Sequence, residues 1–119
     1  MKIAVTSTGT DLDAPVDPRF GRAAYILIVD SDTLDVEVLD NAENVNAFKG
    51  AGIQAATMIS DKKAEVLLTG YCGPNAFKTL EAAQIRVASD VSGTVREAVA
   101  AAAGDQLTFS SAPNAEGHW

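Results

Sequence analysis

This chain predicts a three-layer α/β/α fold around a five-stranded mixed sheet, on three observations. Two early apolar segments are joined by a short polar turn, helical periodicity starts near residue 50, and strands and helices alternate from there. A hairpin followed by strand–helix alternation gives a mixed sheet with helices over both faces. Right-handed crossovers then set the strand order 3-2-1-4-5, with strand 2 antiparallel.

The elements follow in order. "KIAVTS" (2–7) is β-branched and reads as a buried strand, and "AAYILIVD" (23–30) and "LDVEVLD" (34–40) are the next two. The third sets Leu34, Val36, Val38 and Leu39 against Asp35, Glu37 and Asp40, and Ser31-Asp32-Thr33 before it is a hairpin turn. "AEVLLT" (64–69) and "QIRVAS" (84–89) complete the sheet. "GAGIQAATMISDKK" (50–63) spreads Ile53, Ala56, Met58 and Ile59 over a wide helical face. "PNAFKTLEAA" (74–83) puts Ala76, Phe77, Leu80 and Ala83 on one side. "TVREAVAAAAG" (94–104) opens with Thr94 and Glu97 at capping-box spacing and closes on Gly104. Neither repeat nor linker interrupts the pattern, so residues 1–109 are expected to form one domain. The polar "SSAPNAEGHW" (110–119) is expected to be a flexible tail. This order is ribonuclease-H-like topology.

Composition narrows the function classes. The 119 residues are 47% hydrophobic and 21% charged, ordinary for a folded domain with its own core. The formal charge of −7 argues against nucleic acid or an anionic membrane as partner, since both want a basic face. No apolar run has membrane length, the start "MKIAVTSTG" reads as a strand and not as a signal peptide, and one cysteine makes no internal disulfide, so a cytoplasmic protein is expected.

Ligands of open α/β sheets bind beyond the carboxyl ends of the strands, where neighbouring connections diverge. That point lies between strands 1 and 4, where residues 7–22, 41–52, 70–75 and 89–93 converge. The first of these, "STGTDLDAPVDPRFGR", is long for an irregular loop and carries Arg19 and Arg22 around Phe20-Gly21. Its Asp11, Asp13 and Asp17 fit no EF-hand and read as turn formers. The second brings Asn44, Asn46 and Lys49 to a helix start at Gly50-Ala51-Gly52, where backbone N–H groups favour an anion. It has neither P-loop nor dinucleotide-fingerprint spacing.

The third, "TGYCGPNAF" (69–77), holds the single cysteine. Gly73 suits the cap and Pro74 the first helical position, so the N–H groups of Asn75, Ala76 and Phe77 point outward. Cys72 beside that terminus is expected to have a lowered pKa and some exposure to soft metals. The one histidine, His118, is on the polar tail, which speaks against a Cys–His pair, and one Cys with one His cannot build a structural zinc site. Cys72 is left either as a small residue lining the site or as a single soft contact to bound metal. A nuclease is rejected: strand 1 has no acid and strand 4 has only Glu65, at the far end.

Five segments, "MKIAV", "VDPRFGRAAYILIVD" (16–30), "KGAGIQAA" (49–56), "TGYCGPNAF" (69–77) and "SGTVREAV" (92–99), together resemble the dinitrogenase iron–molybdenum cofactor biosynthesis family of NifX and NifB C-terminal-like domains. They span nearly the whole chain, in the family's order. The resemblance is strongest to small, stand-alone acidic members that hold a mixed molybdenum–copper sulfide cluster without conventional cysteine ligation. It implies a non-catalytic metallocluster carrier, with an ATPase or a cluster-transfer protein as partner. Many relatives have His before the Gly-Ala-Gly turn where this chain has Lys49, which counts against an iron–molybdenum cofactor and suits an anionic thiomolybdate.

Such a cluster brings its own sulfides and needs N–H donors, a few cations and an apolar cover. The expected cradle is Arg19, Phe20, Gly21, Arg22, Asn44, Lys49, Gly50, Gly52, Tyr71, Cys72, Gly73, Pro74 and Asn75, with Phe20 and Tyr71 as the cover. Two other classes stay open at this stage: a small enzyme on a phosphorylated or nucleotide substrate with Cys72 as nucleophile, and a bare interaction module for an ATPase.

Overall fold

The computed structural model describes residues 1–41 and 50–110. The strands are β1 (Lys2–Ser7), β2 (Tyr25–Asp30), β3 (Val36–Asp40), β4 (Val66–Leu68) and β5 (Arg86–Ala88); the helices are α1 (Ala51–Asp61), α2 (Pro74–Ala82) and α3 (Val95–Ala103). The sheet order is β3-β2-β1-β4-β5. β2 runs antiparallel to β1 and β3, while β1, β4 and β5 are parallel, with Ile3 opposite Val29 on one side and Val66 on the other. The expected fold class and strand order are observed.

Alternation along the strands divides the core in two. Ala4, Ile26, Ile28, Leu67 and Val87 face α1 and α2 through Ala55, Ile59, Phe77 and Leu80. Ile3, Val5, Leu27, Val29 and Leu68 face α3 through Val95, Ala98, Val99 and Ala102. Because both faces are covered, β1, β2 and β4 read as continuous apolar runs rather than alternating ones.

The edge strand differs from its sequence reading. Leu34 is not in β3; it sits in the turn at φ 63° and is 41% exposed. Val36 packs towards α3 and Leu39 towards the α1/α2 side, while Val38 faces solvent. Residues 36 and 39 are an odd number apart, so a period of two puts them on opposite faces.

The three helices among the described residues end through left-handed residues that are not glycine. Lys63, Gln84 and Asp105 lie at φ 61°, 62° and 57°. Beyond them, the N–H groups of Ala64, Ile85 and Gln106 donate to the carbonyls of Ile59, Leu80 and Ala101. This is the Schellman closure, and Ala64–Ile59 and Ile85–Leu80 are its apolar contacts. Gly104 closes α3 as its C-cap, as expected, at φ −90°, and Asp105 after it takes the left-handed torsion. At the chain's described end, Ser110 donates its N–H to Val87 O and its hydroxyl to Ser89.

Candidate functional site

Two of the helices that begin at the carboxyl edge of the sheet shape the site: α1 after β3, and α2 after β4. Gly50 precedes α1 at φ 79°, ψ 8°, a left-handed conformation that favours glycine. Gly73 precedes α2 in extended backbone at φ −75°, ψ 169°, which any residue adopts, so torsion does not require glycine there. Intrahelical bonding starts only with Gln54 N–H to Gly50 O and Phe77 N–H to Gly73 O. The N–H groups of Ala51, Gly52 and Ile53, and of Asn75 and Ala76, therefore have no partner within their helices. Neither start has a side-chain cap among the described residues, and neither has an acid in its first turn.

The two starts share one hollow of about 40 Å³, lined by Gly50, Ala51, Gly52, Ile53, Gly73, Asn75 and Ala76. A cavity on the order of 10–15 Å³ holds one water, so this hollow seats a few atoms of a ligand rather than an entire cluster. Ile53 and Tyr71, 42% and 41% exposed, are apolar surface at its rim and beside it.

The arginine loop is fastened to both starts. Tyr71 N–H donates to Pro18 O at 2.6 Å and Phe20 N–H to Tyr71 O at 3.2 Å, so Arg19 pairs with Tyr71 as in a parallel bridge. Gly21 lies against α1: a Cβ there would stand 2.6 Å from Gly52 N and 2.8 Å from Gly52 Cα. Asp17, buried, accepts the Arg19 N–H at 3.0 Å and the Ala24 N–H at 3.4 Å, with the Arg19 Nε 3.6 Å away. Thr6 donates its hydroxyl to Asp17 O at 2.6 Å and lies 2.9 Å from the Thr69 hydroxyl, tying the loop to β1 and to the end of β4. Asp11 accepts from Asp13 N–H, and Asp13 pairs with Arg96, so these two are turn and surface residues. Among the described residues no group of three His, Cys, Asp or Glu is placed to hold a metal ion.

The structure thus brings Gly50, Gly52, Gly73 and Asn75 onto the hollow. Pro74 is the first residue of α2, Gly21 and Arg19 are brought alongside through backbone contacts, and Arg22 follows Gly21 in the same loop. Asn44 and Lys49 lie outside the described residues.

Two sequence readings change. Phe20 is 1% exposed and packs in the core with Ile59 and Phe77, so it supports the site from beneath and does not cover it. Cys72 is fully buried in the same cluster. Burial pushes its thiol up to about 12, the reverse of the lowered value expected beside a helix terminus. The terminus acts outward on the hollow, whereas the thiol points into apolar surroundings that disfavour a charge. A protonated, inaccessible sulfur suits neither a nucleophile nor a ready metal ligand. Reasoning from sequence missed Asn41, whose buried amide donates to Gly21 O and Ala23 O. Its place just after β3 was the one available signal.

A five-stranded mixed sheet covered by helices on both faces, with two glycine-led helix starts meeting at one sheet edge, sets the chain among small three-layer α/β/α domains. The chain belongs to a particular family of that class: the profile described as dinitrogenase iron–molybdenum cofactor matches residues 1–104. It is similar to the apo form of the orange protein from Desulfovibrio gigas, at 46% identity and TM-score 0.93 over 96% of each chain. It is also similar to a candidate NifB protein from Thermotoga, at 34% identity and TM-score 0.82 over 98% of each chain. A candidate dinitrogenase from Methanocaldococcus jannaschii, 19% identical with TM-score 0.70 over 95% of this chain and 97% of that one, shares the fold. No curated protein matches the chain. No helix among the described residues is long and apolar enough to cross a membrane.

Proposed function

We propose that this protein is a non-catalytic carrier of an anionic molybdenum-containing sulfide cluster of the molybdenum–copper thiomolybdate type. The cluster rests on the hollow between α1 and α2. The observation that carries this reading is the meeting of two uncapped helix starts on one cavity, in a molecule of net charge −7. An acidic protein disfavours anions at long range, so local N–H groups and helix dipoles must hold this one.

The donor set suits such a cargo. The N–H groups of Ala51, Gly52, Ile53, Asn75 and Ala76 donate to sulfides at one edge of the cluster, and Ile53 and Tyr71 offer apolar cover. Arg19 and Arg22 supply positive charge around it, and Lys49 adds a further cation directly before Gly50 in sequence. Cys72 stays beneath the site as a core residue. The family membership and the likeness to the orange protein support the same cargo class.

Titration of the protein with tetrathiomolybdate under anaerobic conditions, with and without Cu(I), tests the reading. After desalting, molybdenum, copper and sulfide are expected to stay with the protein, together with a visible absorption band. Elution of all the metal in the salt fraction would reject the carrier.

A further inference from the structure

Asn41 is a buried polar side chain at the point where β3 hands over to the site, only 1% exposed. Its amide nitrogen donates to Gly21 O at 3.1 Å and to Ala23 O at 2.8 Å. Its backbone N–H donates to Ala24 O at 3.2 Å. The two carbonyls held by the amide belong to the residues on either side of Arg22. An NH₂ group has two hydrogens and both are used, a task that carboxylate, hydroxyl or methyl groups cannot repeat.

Just before Arg22, Gly21 lies so close to Gly52 that no side chain fits between them. Asn41 thus joins the other ties of the arginine loop, and it is the one that holds the carbonyls on both sides of Arg22 beside the first turn of α1. We propose that Asn41 is the positioning residue of the hollow, a clamp that sets Arg22 at the start of α1 for contact with an anion. This inference rests on the carrier reading for its ligand, and on geometry alone for the clamp.

Asn41→Asp keeps shape and volume but turns an acceptor towards both carbonyls; Asn41→Ala is the second variant, should the first fail to fold. Hydrogen exchange in the protein without ligand is the direct test of the clamp. Exchange at the hydrogen-bonded amides of Arg19, Phe20, Ala23 and Ala24 is expected to rise about tenfold or more as the loop opens locally, with β1 and β4 unchanged. Equal exchange in variant and parent overturns the clamp.

A double-mutant cycle with Arg22→Gln, read as tetrathiomolybdate affinity well below the unfolding temperature, tests its purpose. If Asn41 positions Arg22, Arg22→Gln weakens binding in the parent but adds almost nothing in the Asn41 variant. Full additivity overturns the positioning role, as does an Asn41 variant of lowered stability and unchanged affinity. A parent protein that retains no thiomolybdate rejects the carrier reading and with it the assignment to Arg22, while the exchange data still decide the clamp.

Discussion

The starts of α1 and α2 stand in contrast to the start of α3. The three described helices each follow a strand parallel to β1 and begin at the same edge of the sheet. α3 is closed by its own side chains: the Thr94 hydroxyl accepts the Glu97 N–H at 3.2 Å, and Glu97 accepts the Thr94 N–H at 3.0 Å. Both α1 and α2 are led by glycine, carry no acid in the first turn and converge on a hollow. A capped start spends its donors on the fold. An uncapped start that a neighbouring loop holds in place keeps them for a ligand. The difference lies in the residues that precede each helix and in the first loop, whose Ala14 and Leu12 carbonyls accept the Val95 and Arg96 N–H groups of α3.

The strongest way to break this contrast is to give α2 a cap of the α3 kind. Gly73→Asp meets no torsional obstacle, because the position is already extended. Its carboxylate would accept the N–H groups of the first turn and occupy the anion's place. A like charge about 4 Å away costs up to about 4 kcal/mol at a partly solvated site, so thiomolybdate affinity is expected to fall about a hundredfold or more. Thermal stability should hold or rise, as for a gained N-cap, by up to about 1 kcal/mol. Retained affinity in this variant would show that the donors of α2 are not used.

The next effect comes from prising the arginine loop off α1. In Gly21→Ala the new Cβ meets backbone atoms of Gly52 and Ala51 at 2.6 to 3.0 Å, and backbone cannot rotate away as a side chain can. Destabilisation of about 1–3 kcal/mol is expected, as for overpacking in a core. Thiomolybdate titration of the folded variant should show about a tenfold loss, in the range of one charge-assisted contact. A normal melting temperature would mean that the loop shifts freely, and the coupling between loop and helix would be lost with it.

The sequence made most of this architecture legible, for physical reasons that are specific to each element. β1, β2 and β4 announce themselves as apolar runs, α2 by Gly73-Pro74, and α3 by Thr94 and Glu97 three residues apart. The helix ends were harder to read, because Lys63 and Gln84 take left-handed torsions that their side chains do not advertise. At the site, the glycine starts could be read as local signals. The depth of Phe20 and Cys72 could not, because it depends on α1 and α2 closing over them. Asn41 escaped notice for a related reason: its two acceptors are 18 and 20 residues away in sequence.

A smaller effect tests the capped side of the contrast. Thr94→Ala should cost about 1 kcal/mol, the ordinary value of a lost N-cap, with thiomolybdate affinity unchanged. Thr94 also holds the Glu97 carboxyl below its ordinary pKa, through its backbone N–H first and its hydroxyl second. A depressed carboxyl contributes stability above its unfolded pKa, and loses it as pH falls through the lower folded value. Urea titrations from neutral to acid pH should therefore show a shallower acid decline in the variant than in the parent. A drop in thiomolybdate affinity would mean that α3 reaches the site after all.

The smallest effect at neutral pH concerns Cys72, which shows how far the open start of α2 reaches inward. The thiol lies one residue before Gly73, where the terminus alone would stabilise a thiolate. Burial wins, and the thiol is pushed up to about 12. In the unfolded chain an ordinary thiol titrates near 8.5, so the folded state binds the extra proton only above that pH. The sign follows: stability is intact below about pH 8 and declines as pH rises towards the folded value. Cys72→Ala removes this decline, so urea midpoints of parent and variant should run parallel at neutral pH and diverge on the alkaline side. In the parent, a thiol reagent at neutral pH should react only as fast as the chain opens. Reaction at the rate of an unfolded cysteine would place the sulfur at the surface of the hollow, and would return a soft metal contact to the carrier's chemistry.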